Sequence, residues 1–283
     1  MSANVKTRNT AAKTVIYIFL ILLCAICMVP FLTMLSTSFS YVKGTLPEKP
    51  ILFPDFPLYT ENYVTIWEKQ DFAHYFLNTV IVSGVGLCFN MVITVITAYA
   101  FAKFEFPGKN FIFNVMLVTM MIPAMLAIIS QYTIINALGA VNTYWGVWLL
   151  WSGSCVAGGT FFFRGFFEGI PHELEESMMM DGANRWTILL RCIVPLAAPA
   201  IGTHAIFTFN GYWSDLFTVL TLIKNVKMRT LSVSLALYRS QHTTEYGLMF
   251  AASVIAMLPV VLVFVVFQKK FLKQGLTVGA VKG

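Results

Sequence analysis

Charge is what this chain most lacks. Only 11% of its 283 residues are Asp, Glu, Lys or Arg, against roughly 25% in ordinary soluble domains. No charged residue lies between Lys109 and Arg164, and none between Arg191 and Asp215. A water-soluble fold of this size needs far more polar surface, which excludes a soluble globular protein. Enzyme signatures are missing too: there is no G-x-x-x-x-G-K-[ST] phosphate loop, no G-x-S-x-G and no H-E-x-x-H. The histidines, His74, His172, His204 and His242, are scattered without metal-ligand spacing. Cysteine is scarce and odd in number (Cys24, Cys27, Cys88, Cys155, Cys192). The Cys24-x-x-Cys27 pair sits inside an apolar run, where it reads as packing and not as a redox motif.

What the chain has in place of charge is apolar length. Hydrophobic residues make up 58% and the mean hydropathy is +0.74. Roughly 20 consecutive apolar residues cross a bilayer as a helix, and six such spans can be drawn. The first is 14–36, behind a basic tail at 1–13. The others are Phe76–Phe101, Phe111–Ile129, Tyr144–Phe163, Ile188–Asn210 and Tyr246–Phe267, with the fifth interrupted by Pro195, Pro199 and Gly202. The expected fold is an all-α polytopic membrane protein of six transmembrane helices. Its organisation is an outer loop at 37–75, a five-helix core at 76–268 and a tail at 269–283. The first apolar run is about twice the length of a signal h-region and lacks a small-x-small cleavage site, so it reads as an uncleaved span.

Orientation follows the Lys and Arg distribution. With the N-terminus inside, Lys6, Arg8, Lys13, Lys103, Lys109, Arg164, Arg185, Arg191, Lys269, Lys270, Lys273 and Lys282 are cytosolic. Seven bases (Lys43, Lys49, Lys69, Lys224, Lys227, Arg229 and Arg239) face outward and are matched by seven acids. The net charge of +6 then sits wholly inside, both termini are cytosolic, and the basic pI is topological and not a nucleic-acid patch. The spans hold no carboxylate and no lysine; Arg191 edges the fifth, which also holds His204. Ion-coupled carriers use ionisable groups inside their spans. Their scarcity points to energy entering from outside the membrane, through a partner.

One segment breaks the pattern. Pro171–Pro195 reads PHELEESMMMDGANRWTILLRCIVP and crowds Glu173, Glu175, Glu176, Asp181, Arg185 and Arg191 around Gly182. Pro171 suits a first helical turn, and the acids after it suit the helix dipole. Leu174, Ser177 and Met178 form a narrow, mostly apolar edge, with Asp181 one turn on. Gly182 permits a reversal, and helix resumes at Asn184. Four acids in nine residues argue against lying on an anionic leaflet and favour docking to a protein.

These residues resemble the EAA loop of permease subunits of ATP-binding-cassette importers. Its pattern is E-A-A, three residues, G, nine residues, then I-x-L-P. Glu176 and Gly182 fall at the required spacing and Pro195 at the required distance beyond, while Ser177 and Met178 replace the two alanines, Cys192 the Ile and Val194 the Leu. F-A-K-F-E-F-P-G-K at Phe101–Lys109 is similar to the A-R-F-x-F-P-G-R turn of maltose-type carbohydrate permeases. The ending G-L-T-V-G-A-V-K-G at Gly275–Gly283 is similar to G-x-x-x-G-A-V-K-G in that group. The resemblance implies a type I importer fold in the bacterial cytoplasmic membrane, with lipid around the spans and no nucleic acid. It also implies a second homologous permease, two copies of an ATPase subunit that bind the ATP and Mg, an extracytoplasmic solute-binding protein, and alternating access. ATPase coupling is implied for Glu175, Glu176, Ser177, Met178, Asp181, Gly182, Ala183 and Pro195.

The solute path is expected among polar and aromatic groups of the later spans: Asn114, Gln131, Trp148, Trp151, Asn210, Trp213 and Asp215, with Trp145 beside them. Trp also gathers at membrane interfaces without binding anything, and Asn bridges helices. Near-absence of charge favours a neutral sugar or oligosaccharide over a glycerol phosphodiester, a polyamine or phosphate. A stand-alone carrier or channel would need intramembrane charges or an internal repeat. A membrane-bound enzyme would need a polar catalytic cluster at one face.

Overall fold

The computed structural model describes residues 2–42, 44, 48–69, 71–241 and 245–280. Lys43, His242, Lys282 and the final Gly283 of the tail motif lie outside the described residues. The fold is helical: α1 (Ser2–Ser38), α2 (Glu61–Lys69), α3 (Phe72–Lys103), α4 (Lys109–Met120), α5 (Ala124–Ala137), α6 (Tyr144–Glu168), α7 (His172–Met180) and α8 (Arg185–Ile188). A π-helical turn at Leu189–Ile193 leads into α9 (Val194–Leu196), followed by α10 (Ala198–Ser214), α11 (Phe217–Leu222), α12 (Leu231–Gln241) and α13 (Tyr246–Ala280). Two units separate, Met1–Phe72 with Leu237–Met257, and Ala73–Ala236 with Leu258–Gly283.

In the first unit, the Lys13–Ser38 part of α1 has a mean hydropathy of 2.9 and none of its most apolar window buried. A helix that is apolar on every side needs an apolar surround. Its end is tied by polar groups: Asn62 Nδ2 donates to Ser38 O at 2.9 Å and Ser40 O at 3.1 Å. The Ser38 and Tyr63 hydroxyls also bond, at 2.8 Å.

The second unit is built on α3, α6 and α10. Trp148 Nε1 donates to Val82 O at 2.9 Å, Trp151 packs on Gly86, Gly159 packs on Thr94, and Phe163 and Phe167 share a buried cluster with Val95, Ala98 and Tyr99. Partners rise in number together, so α3 and α6 run parallel. Contacts of α10 run the other way: Tyr212 stacks on Trp151 and His204 meets Phe163. Parallel α3 and α6 require the chain between them to cross back.

That return is made by α4 and α5, and it corrects the expected continuous span Phe111–Ile129. The chain bends by 112° between the two helices. Pro123 carries no N–H and pushes the residue before it out of the helical region; it caps α5 at φ −58°, ψ 124°. The fifth expected span is likewise broken, by 79° between Arg185–Leu196 and Ala198–Ser214, at Ala197 between Pro195 and Pro199. Among the described residues four helices are long and apolar enough to cross a membrane, or up to six if each bent pair counts as one span. The helix of the sixth expected span, α13, runs on through Ala280, so most of the expected tail at 269–283 is helical.

Candidate functional site

The acidic segment folds as its pattern directs. Pro171 precedes α7, Glu173 and Glu175 lie in its first turn, and Asp181 caps its end. Gly182 then takes φ +82°, a conformation nearly free for glycine and costly for other residues. Gly182 N donates to Met179 O at 3.0 Å and Ala183 N to Met178 O at 2.9 Å. These two bonds are the paired closure that satisfies the last carbonyls of a helix. Asn184 Oδ1 then accepts from Thr187 N at 2.8 Å and caps α8. Both ends of the turn are therefore fixed by hydrogen bonds, and α7 is held at a defined angle.

One side of this helix faces away from the protein. Leu174, Glu176, Ser177, Met179, Met180, Asp181 and Gly182 are exposed, Met180 by 88%. Of the expected apolar edge, Leu174 and Ser177 are on that surface, while Met178 packs inward on the cluster of Tyr99, Phe163, Phe167 and Ile188, with Ala183 beside it. Pro195 is exposed at the head of the bent fifth span.

Glu175 departs most from expectation. It is 1% exposed and cannot reach a partner surface. Its Oε1 lies 2.7 Å from Lys103 Nζ, with both side chains buried, and Lys103 also donates to Ile170 O at 2.7 Å. A buried charge needs a close counter-charge to offset its desolvation, and each supplies that for the other. The F-A-K-F-E-F-P-G-K turn and the acidic segment, 72 positions apart, are thus one assembly. Arg185 adds a contact over the Phe104 ring at 5.2 Å, and Phe104 meets Tyr99 edge-on. Sequence reasoning took Lys103 as a cytosolic charge and as part of the F-A-K-F-E-F-P-G-K turn, without a partner; its place at the very end of an apolar helix was the available signal.

The expected solute-path residues divide in two. Trp151 is buried, stacked on Tyr212 at 4.1 Å and 7°, and donates Nε1–H to Asp215 Oδ2 at 2.5 Å. Asp215 Oδ1 accepts from Thr218 N at 3.0 Å. Trp213 is buried edge-on to Phe76. Trp148 is half-buried and anchored to Val82. In this structure these ring faces and this carboxylate are engaged in packing and capping. Trp145 is exposed and meets Trp148 and Phe89. Asn114 and Asn210 are exposed, and Gln131, half-buried, donates to Ser154 Oγ at 3.3 Å. His204 lies against Phe162 and Phe163, a packing position.

Opposite the acidic segment, polar side chains clamp a loop. Asn78 Nδ2 donates to Lys227 O at 2.8 Å and Arg229 O at 3.0 Å, and Thr79 Oγ1 accepts from Leu231 N at 2.8 Å. Asn142, at φ +61°, accepts from Lys224 N at 3.0 Å and Asn225 N at 2.8 Å through Oδ1. Among the described residues no three metal-ligating side chains gather.

Comparison with known proteins finds relatives of the whole chain. Residues 91–274 match the family model described as the binding-protein-dependent transport system inner membrane component. A diacetylchitobiose uptake system permease protein of Streptomyces coelicolor is 34% identical over 253 residues, covering 89% of this chain and 83% of that one. A galactooligosaccharides transport system permease protein of Bacillus subtilis is 28% identical over the full length of both. Among solved structures, a chain of a bacterial ABC transporter for import of the acidic polysaccharide alginate superposes with TM-score 0.77 at 23% identity, covering 93% of this chain and 97% of that one.

Proposed function

The chain belongs to the inner membrane components of binding-protein-dependent transport systems, and from that membership we propose that it is the permease subunit of an ATP-driven importer of a sugar or oligosaccharide. It is a multi-pass cytoplasmic-membrane transport component and not an enzyme. In this reading both termini and α7 face the cytosol. ATP and Mg are bound by two copies of a separate ATPase, a second homologous permease completes the pathway, and an extracytoplasmic protein delivers the solute. The observation that carries the coupling assignment is α7 itself: an exposed face around Leu174, Glu176, Ser177 and Met180, closed rigidly at Gly182.

Substrate class is supported by the oligosaccharide relatives and by the lack of charge in the spans. The groups proposed to meet the solute are the exposed amides of Asn114 and Asn210, with the half-buried Gln131. They lie in a chain that reads as membrane-embedded, where exposed amides need a watery path or another protein.

The test is uptake in proteoliposomes containing the complete complex. Labelled chito-, galacto- and arabino-oligosaccharides are offered beside a glycerol phosphodiester. Accumulation of one sugar series, dependent on binding protein and ATP and lost in Gly182→Trp, is expected. Uptake of the phosphodiester alone overturns the substrate reading. Coupled uptake that survives Gly182→Trp overturns the role of α7, and survival of Glu176→Lys as well would remove its charged rim from the contact.

A further inference from the structure

The Lys103–Glu175 pair lies behind the face that α7 turns outward, so contact with a partner does not explain it. Both side chains are shut off from solvent. One ammonium holds α7 at two points: the Ile170 carbonyl just ahead of it and the Glu175 carboxylate within it. Met178 and Ala183 add apolar contact on the same inner side. The joint between α7 and α3 is therefore both charged and packed.

A second route leads from α7 into the membrane, through α8, and it is built differently. It passes a π turn at Leu189–Ile193 and then bends by 79° at Ala197 between two prolines. Such irregularities are where helices yield. By contrast α3 is 32 residues without a proline. Its far end carries Asn78 and Thr79, which grip the loop at Lys227–Leu231. One unbroken helix thus joins the inner face of α7 to the clamped loop at the opposite end, while the covalent path through α8 is interrupted twice, by the π turn and by the bend.

We propose that Lys103 and Glu175 are positioning residues that lock α7 to α3 as one rigid body, so that displacement of α7 is delivered along α3 and not taken up at the Ala197 bend. This rests on the reading of α7 as the ATPase contact. The pair transmits motion; it touches neither nucleotide nor solute.

The readout is solute imported per ATP hydrolysed, measured in proteoliposomes with the complete complex. A merely structural role would lower the amount of complex and leave this ratio alone. Glu175→Gln is expected to cut the ratio by about tenfold, within the usual range of coupling between linked sites. The reversed pair, Lys103→Glu with Glu175→Lys, is expected to restore it to within about twofold. An unchanged ratio in Glu175→Gln overturns the proposal, and so does a reversed pair that assembles without regaining coupling. If Glu175→Gln does not assemble, Lys103→Arg supplies the readout. It keeps the charge but replaces a compact ammonium with a planar fork, so a ratio equal to wild type again overturns the proposal. Gly182→Trp separates the levels. If it abolishes uptake while Glu175→Gln leaves the ratio unchanged, only the lock is wrong; if it leaves coupled uptake intact, the α7 contact itself is wrong.

Discussion

At Gly159 of α6, side chains of α3 and α10 both close in, and a single methyl group tests that meeting. A Cβ placed there would lie 2.8 Å from His204 Nε2 and closer still to the Thr94 methyl carbon. Carbon atoms are at ease at about 3.5–4.0 Å, so an added methyl must force two helices away from α6. Overpacking of this kind costs about 1–3 kcal/mol. The upper part of that range is expected for Gly159→Ala, because two neighbours must give way at once and His204 is packed against Phe162 and Phe163. Thr94→Ser removes the nearer obstacle at a cost of about 1 kcal/mol for the lost methyl. If the clash is the cause, the double variant is more stable than the sum of the singles by about 1 kcal/mol. Unfolding of the purified protein in mixed micelles against a rising fraction of denaturing detergent measures all three. Strict additivity, or a Gly159→Ala variant within about 0.5 kcal/mol of wild type, would refute the close approach.

Lys103→Met strands a buried carboxylate and should cost about 3–5 kcal/mol, whereas Lys103→Met with Glu175→Met should recover most of it, as the same detergent titration would show. Asn142→Ala removes the acceptor of two amides and a residue suited to positive φ. Faster hydrogen exchange at Lys224 and Asn225 and a loss of about 1–3 kcal/mol are expected. Trp151→Phe keeps the stack on Tyr212 but deletes the bond to Asp215. A loss of about 1.5–3 kcal/mol without loss of assembly is expected; a silent variant would mean that the indole does not hold that carboxylate.

Local features were legible from sequence, and distant ones were not. Pro171, the acids after it and Gly182 specify a helix and its stop within a dozen residues, and the structure follows them bond for bond. Proline in the spans was ambiguous. Pro30 and Pro259 remain inside α1 and α13, while Pro123 breaks its helix; no neighbouring residue type distinguishes them, because tertiary packing decides whether a kink is absorbed. Glu175 looked like its acidic neighbours, and only the fold brings it to Lys103. The tryptophans were ambiguous for a related reason. An indole signals a polar edge on an apolar body, but the sequence cannot say whether that edge meets a solute or, as for Trp148 and Trp151, another helix.

The bend between α4 and α5 makes the third crossing a crease. Met121 N and Ile122 N already bond back three residues, to Val118 O and Thr119 O, and Pro123 has no N–H to lose. Opening or closing the angle there breaks no i−4 hydrogen bond across the tip, and in an apolar medium each such bond is worth about 4–6 kcal/mol. A straight helix of the same length would resist bending with several of those bonds at once. The crease itself therefore sets no i−4 hydrogen bond against a change of angle, and the packing of α4 and α5 on α6 is what holds it.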